Sequence, residues 1–190
     1  MTAKKITTLI AAAAAGFISI SRADVISDYY QHQYAGFNGA AIYVNKIYQN
    51  TNPGQISKRG FLSGGGNVYI GSALSSFFGL ELNFGYYSFG SYGGLTSIAL
   101  NGKFTEVLAK QWMLYQKIGG GYGEIVTRFN NTRIDSDNLI PTAALGIGYQ
   151  VIDPWLLNLE FDAAMVPSGC TNAVGLIGAL GIGTTYYFSA

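Results

Sequence analysis

Eight stretches of this chain set bulky apolar residues on one parity and glycine, small polar or charged residues on the other. The clearest is Phe78-Gly-Leu-Glu-Leu-Asn-Phe-Gly-Tyr86, where Phe78, Leu80, Leu82, Phe84 and Tyr86 alternate with Gly79, Glu81, Asn83 and Gly85. A period of two sends successive side chains to opposite faces of a strand, so each stretch must separate an apolar medium from a polar or packed one. Lipid outside and a closed interior satisfy all eight strands at once. The pattern predicts an all-β fold, an eight-stranded antiparallel up-and-down transmembrane barrel.

The strands are expected near residues 35–46, 59–71, 77–88, 95–106, 111–124, 139–152 and 154–164, with the last running from Leu180 to Phe188. In the first, Ala40, Ile42 and Val44 are read as facing out and Ala41, Tyr43 and Asn45 as facing in. Polar, glycine-rich links near 47–58, 87–94, 125–138 and 165–174 are long, whereas those near 72–76, 107–110 and 152–154 are short. Tight turns on one side and long loops on the other are the habit of outer-membrane barrels, whose short turns face the periplasm. An even strand number puts both chain ends on that side.

Charge and composition narrow the alternatives. Only 11% of residues are charged, against about a quarter in soluble domains. Residues 60–80 and 82–102 carry no charge, yet Gly64, Gly65, Gly66, Gly85, Gly93 and Gly94 interrupt them, which suits strands better than apolar helices. Residues 1–23 read as a secretory signal, with Lys4 and Lys5 before an apolar run from Leu9 to Ile20 and a small-residue site at Ser21-Arg22-Ala23. Its removal leaves residues 24–190 as one barrel domain with eight bases against ten acids, a net charge of −2. That near-neutral balance lacks the basic footprint of nucleic-acid binding. Cys170 is the only cysteine, so no internal disulfide staples the fold.

In Phe78–Tyr86, Leu114-Tyr-Gln-Lys-Ile-Gly-Gly-Gly121, Gly146-Ile-Gly-Tyr-Gln-Val-Ile-Asp-Pro154 and Leu157-Asn-Leu-Glu-Phe161, the chain resembles the OmpA-type eight-stranded outer-membrane barrels, the group of the OmpA membrane domain, OmpX and NspA. The resemblance covers nearly all of residues 24–190 and implies a bacterial outer-membrane location, contact with outer-membrane lipid and lipopolysaccharide, and insertion by the barrel-assembly machinery. The ending Gly183-Thr-Thr-Tyr-Tyr-Phe188 resembles that machinery's signal, carried by Gly183, Tyr186 and Phe188, although Ser189 and Ala190 follow the final aromatic. The resemblance also implies an internal salt-bridge network and places Glu81, Lys103 and Lys117 at its acid and base positions. Gly148 stands where the family has an acid, and Asn158 where it has an arginine. The peptidoglycan-binding domain of OmpA has no counterpart here.

Glu81, Lys103, Lys117 and Glu160 all fall on the inward parity of separate strands. An eight-stranded lumen is just wide enough to be filled by side chains, and charges held there must be paired. Mutual neutralisation is favoured over a gated ion path. Trp112, Trp155 and Phe188 toward the short-turn side, and Tyr86 and Tyr122 toward the other, read as membrane-interface aromatics; Tyr87, Phe89 and Phe129 are grouped with the second set. Glu160 and Asp162 form a same-face carboxylate pair read as a solvated rim, and His32 reads as a solvated residue before the first strand. No catalytic constellation, metal site or cofactor motif is recognised. The resulting expectation is a monomeric, non-enzymatic barrel with a structural role, whose four outer loops bind host or environmental surfaces; a narrow pore through the charged lumen is the alternative. N-terminal sequencing of the exported chain tests the first step, with Asp24 expected as the first residue and an uncleaved Met1 contradicting it.

Overall fold

The computed structural model describes residues 33–51, 54–129, 132–165 and 172–188. Its strands are β1 (Gln33–Thr51), β2 (Gly54–Ala73), β3 (Phe78–Ser88), β4 (Gly93–Ala109), β5 (Trp112–Phe129), β6 (Thr132–Ile152), β7 (Trp155–Met165), β8 (Asn172–Val174) and β9 (Leu176–Tyr187). All pairings are antiparallel, and β1 is bonded to β2 on one side and to β8 and β9 on the other. β8 and β9 make one wall strand interrupted at Gly175, so eight strands close a ring. Closure removes the unpaired strand edge that lipid could not solvate.

The outer wall carries the apolar parity. Phe37, Val68, Leu100, Ile118, Phe161 and Ile182 are all exposed, whereas in a water-soluble domain side chains of this kind would fill the core. Among the described residues no helix is long and apolar enough to cross a membrane. Trp112 and Trp155 follow the short turns Lys110-Gln111 and Asp153-Pro154. Their rings pack on Tyr149 at 4.7 Å and Tyr186 at 5.0 Å, and Tyr186 packs on Phe188 at 5.3 Å, giving an aromatic ladder at the short-turn end. Tyr86 and Tyr122 point outward nearer the other end.

Three local expectations are corrected. In β1 the parity is reversed: Ile42 and Val44 are fully buried while Tyr43 is exposed. The cause is an apolar layer inside the outer half of the barrel, where Ile42, Val44, Phe89, Leu95, Ile125, Ile140 and Ile177 pack together. In that layer a bulky aliphatic side chain marks the inside. Tyr87, Phe89 and Phe129 belong to the same layer and are no part of an outer girdle.

Two of the long links, near 47–58 and 125–138, are also mostly strand. β1 and β2 stay paired to Thr51 and Gly54, β5 and β6 to Phe129 and Thr132, and only a 3-10 turn, Gly90–Tyr92, joins β3 to β4. Beyond the apolar band the outward face meets water, so Glu124, Arg128, Arg133, Asp135 and Asp137 take that parity while Ile125, Phe129 and Ile140 face in. The alternation continues with its polarity inverted, which looks like loop composition in sequence.

The inner apolar layer makes Ile42 a packing residue. Ile42→Ala is expected to cost about 2–5 kcal/mol, the range for truncating a buried aliphatic, in urea titrations of the folded barrel in detergent micelles. Leu100→Arg on the lipid face should cost about 2–4 kcal/mol in bilayers. A harmless Ile42→Ala would contradict the assigned parity of β1.

Candidate functional site

Two matching triplets build the middle of the lumen. Tyr34 on β1 stands opposite Gly71 on β2, which stands opposite Glu81 on β3. On the far wall Tyr115 on β5 stands opposite Gly146 on β6, which stands opposite Glu160 on β7. A Cβ on Gly71 would collide with the Tyr34 ring, and one on Gly146 with the Tyr115 ring. Each glycine therefore gives its tyrosine room to lie across a strand toward the glutamate beyond. The Tyr34 hydroxyl donates to Glu81 Oε2 at 3.2 Å, and the Tyr115 hydroxyl donates to Glu160.

The two lysines come from the wall between these triplets. Lys103 on β4 and Lys117 on β5 are direct cross-strand partners, a like-charge pairing that is unfavourable without counterions. Lys117 Nζ lies 2.7 Å from Glu81 Oε1 and 2.7 Å from Glu160 Oε2, bridging the two triplets. Lys103 Nζ lies 3.9 Å from Glu81 Oε2 and sits over the rings of Tyr34 at 4.4 Å and Tyr115 at 4.7 Å. Ring faces attract a desolvated ammonium, so the tyrosines supply part of the counter-field that one distant carboxylate lacks. All four charged residues are at most 4% exposed.

Neutral polar side chains complete the layer. Asn38 Nδ2 donates to Glu160 Oε1 at 3.1 Å. Asn158 Nδ2 donates to Thr185 Oγ1 at 2.6 Å and to Tyr69 Oη at 3.0 Å, so the position with arginine in the resembled family is uncharged and still engaged here. At Gly148, where that family has an acid, a Cβ would stand 2.7 Å from Leu156 and 2.9 Å from Met113. Apolar packing occupies that place.

Glu160 does not sit on a solvated rim: it is 1% exposed, and Asp162 Oδ2 is buried as well. Asp162 thus keeps the inward parity expected of it beside Glu160 but lies in the lumen and not on a solvated rim. Tyr69 and Tyr115 are buried on the inward parity expected of them, whereas Tyr34, read with the interface aromatics of the short-turn side, is buried in the lumen, because an aromatic signals the lipid interface as readily as a lumen. Trp112, Trp155, Tyr86, Tyr122 and Phe188 are outward and at least 43% exposed. Gly183 and Tyr186 lie in β9, and the Phe188 N–H donates to the Gln33 carbonyl at 2.8 Å. The signal segment, His32 and Cys170 lie outside the described residues. Among the described residues no group of three metal-ligating side chains occurs.

Above the apolar band the β1 and β2 ribbon sets Lys46 opposite Arg59 and Ile47 opposite Lys58. The β5 and β6 ribbon sets Arg128 opposite Arg133 and Glu124 opposite Asp137. Arg133 Nε donates to Asp135 at 2.9 Å, and that hydrogen bond holds the Asp135 carboxyl below its ordinary pKa.

The central bridge gives a direct test. Lys117→Met should leave Glu81 and Glu160 facing each other without their shared cation and cost about 3–5 kcal/mol, the usual penalty for breaking a buried pair. Glu81→Gln should cost less, because Lys117 keeps Glu160. Equal and negligible effects in chemical unfolding would show that these charges are solvated.

No protein-family model and no curated protein sequence matches the chain. Solved structures do match its fold. Neisserial surface protein A is 12% identical with a TM-score of 0.64, over 82% of this chain and 97% of that one. The N-terminal β-barrel domain of Pseudomonas aeruginosa OprF is 16% identical at 0.57, over 83% and 98%. Ail, the attachment invasion locus protein of Yersinia pestis, is 11% identical at 0.51 in its complex with the heparin analogue sucrose octasulfate, over 83% and 99%. The chain has the fold of the eight-stranded outer-membrane β-barrels.

Proposed function

We propose that this protein is a sealed outer-membrane barrel whose activity lies in its outer ribbons, which bind anionic surfaces. The observation that carries the sealed lumen is its filling. Lys117 spans the cross-section between Glu81 and Glu160, and the apolar layer beyond it holds Ile42, Phe89, Leu95 and Ile125 at 0% exposure. A water-filled pore would wet those side chains. The lumen charges then stabilise the barrel and carry no ions, and no catalytic role is assigned to them.

The ribbons supply the binding surface. Lys46, Lys58 and Arg59 fall within one short stretch of the β1 and β2 register, beyond the lipid-facing band. Lys46 and Arg59, directly opposite one another on this two-stranded ribbon, suit sulfate or phosphate groups on glycans and lipopolysaccharide. Ail, of the same fold, has been crystallised with a heparin analogue, which supports such a ligand class. Residues 1–23 would direct export, and Gly183, Tyr186 and Phe188 would present the last strand to the assembly machinery. The barrel would then stand in the outer membrane as a monomer.

Retention of the detergent-solubilised barrel on immobilised heparin tests this reading. The wild type should be held at low salt and released by added sodium chloride, because screening weakens exposed charge contacts. Lys46→Glu combined with Arg59→Glu should abolish retention while leaving the barrel folded. A wild type that flows through would overturn the ligand class. Large, steady conductance steps in planar bilayers would overturn the sealed lumen and favour the pore.

A further inference from the structure

Two cross-strand pairs on the outer wall join charges of the same sign. Lys46 on β1 stands opposite Arg59 on β2, and Glu124 on β5 stands opposite Asp137 on β6. Like charges directly opposite each other weaken the pairing that holds them, so each pair gains from an opposite charge brought to it. The first ribbon has none to offer, since no acidic residue occurs from Gln33 to Leu80. On the second, Arg133 is engaged by Asp135 at 2.9 Å, and the Tyr122 hydroxyl that donates to Asp137 is neutral. Arg128 and Arg133 lie four residues along their strands from Glu124 and Asp137, about 13 Å at the rise of an extended chain.

The two pairs sit on opposite walls at one height. Around the ring, β3 and β4 separate the ribbons on one side, and β7 with the β8 and β9 wall strand separates them on the other. Val44 and Ile47, on either side of Lys46, and Ile125, next to Glu124, all belong to the inner apolar layer. That shared layer puts both pairs at the same level. Between Val44 and Lys46 the β1 and β2 ladder is broken at Asn45 and Gly60, where Gly60 has a φ of 54°. Beyond the break Ile47 is the fully buried residue, so Lys46 and the exposed Arg59 take the outward parity that Glu124 and Asp137 take on the far wall.

We infer that copies of this barrel associate side by side in the membrane, the Lys46 and Arg59 pair of one copy against the Glu124 and Asp137 pair of the next. Copies inserted by one route share an orientation, so pairs at equal height meet without tilting either barrel. The contact is heterologous, each copy offering one wall to each neighbour, and it propagates as an open row. Arg59 and the acid pair supply charge-assisted hydrogen bonds, and four charges that repel within their own ribbons attract across the gap. Higher up, Arg128 and Arg133 meet no like charge, because residues 48–57 of the facing ribbon are uncharged. A contact limited to two ribbon faces is of the small, transient kind. Each barrel therefore folds and stands alone as a monomer when dilute, and rows form at membrane density. Anionic ligands and the neighbouring copy compete for Lys46 and Arg59.

Energy transfer between barrels dyed at the N-terminus and reconstituted in phosphatidylcholine vesicles with a chelator tests the contact. The wild type should show transfer above random mixing at low salt and lose it at high salt, because screening weakens exposed charge contacts. Lys46→Glu with Arg59→Glu makes both walls acidic, and Glu124→Lys with Asp137→Lys makes both walls basic. Each double variant alone should fall to the random level, and an equal mixture of the two should recover the transfer. If either variant does not fold, carbodiimide coupling of wild-type barrels mixed with isotope-labelled copies decides the matter. A mixed-isotope amide between Lys46 and Glu124 or Asp137 supports the contact, and its absence overturns it. Random-level transfer in the wild type overturns it, as does transfer that high salt leaves unchanged. Transfer that appears only after calcium is added also overturns it, since a bridging ion would then join acid to acid. Glu124→Lys with Asp137→Lys leaves the basic ribbon intact, so its retention on heparin reports anion binding apart from association.

Discussion

Backbone pairing in lipid is the constraint from which the rest of this structure follows. A peptide group in hydrocarbon has no water to bond, so a spanning sheet must close on itself. β1 meets β9 from Tyr34 opposite Tyr187 to Val44 opposite Ile177, and eight strands complete the ring. Eight strands leave an interior only side chains wide. Every inward position must therefore be small, or must fit its neighbours across the bore.

That narrowness explains the glycines and the charges together. Tyr34 and Tyr115 reach their glutamates because Gly71 and Gly146 leave the intervening strand bare. Lys117 can touch both glutamates because opposite walls lie within one side chain's span. The apolar layer above raises the stakes of that contact. With water kept out from the outer end, the local dielectric falls, the attraction strengthens, and a missing partner becomes more expensive. The polar and apolar layers thus act as one filling.

Much of this was legible because lipid makes a uniform demand on the outer face. Strands β2 to β7 and β9 read correctly by parity, with Leu82 and Phe84 on one side and Glu81 and Asn83 on the other. The reading failed where the demand changes sign. In β1, Ile42 and Val44 obey the packing of the inner apolar layer, and in the outer ribbons Arg128 and Asp135 obey water. The inward parity of Glu81, Lys103, Lys117 and Glu160 was visible in sequence. Their tyrosine and glycine supports were not, because cross-strand register joins residues that lie far apart along the chain. Tyr34 and Glu81 are separated by 47 positions and are brought within hydrogen-bond reach by the register through Gly71.

The separation between the filled lumen and the outer ribbons has a functional consequence. The apolar layer contributes the stabilising contacts of the outer half, while the ribbon charges above it project into water and are screened by salt. Exposed pairs such as Arg133 with Asp135 add little to folding. Their substitution therefore changes what the surface attracts far more than whether the barrel forms. The lumen has the opposite economy, since Lys117, Glu81 and Glu160 are buried against one another and any loss falls on stability. A barrel arranged in this way can vary its outer face widely while its filling stays fixed, which is the arrangement that the proposed surface binding requires.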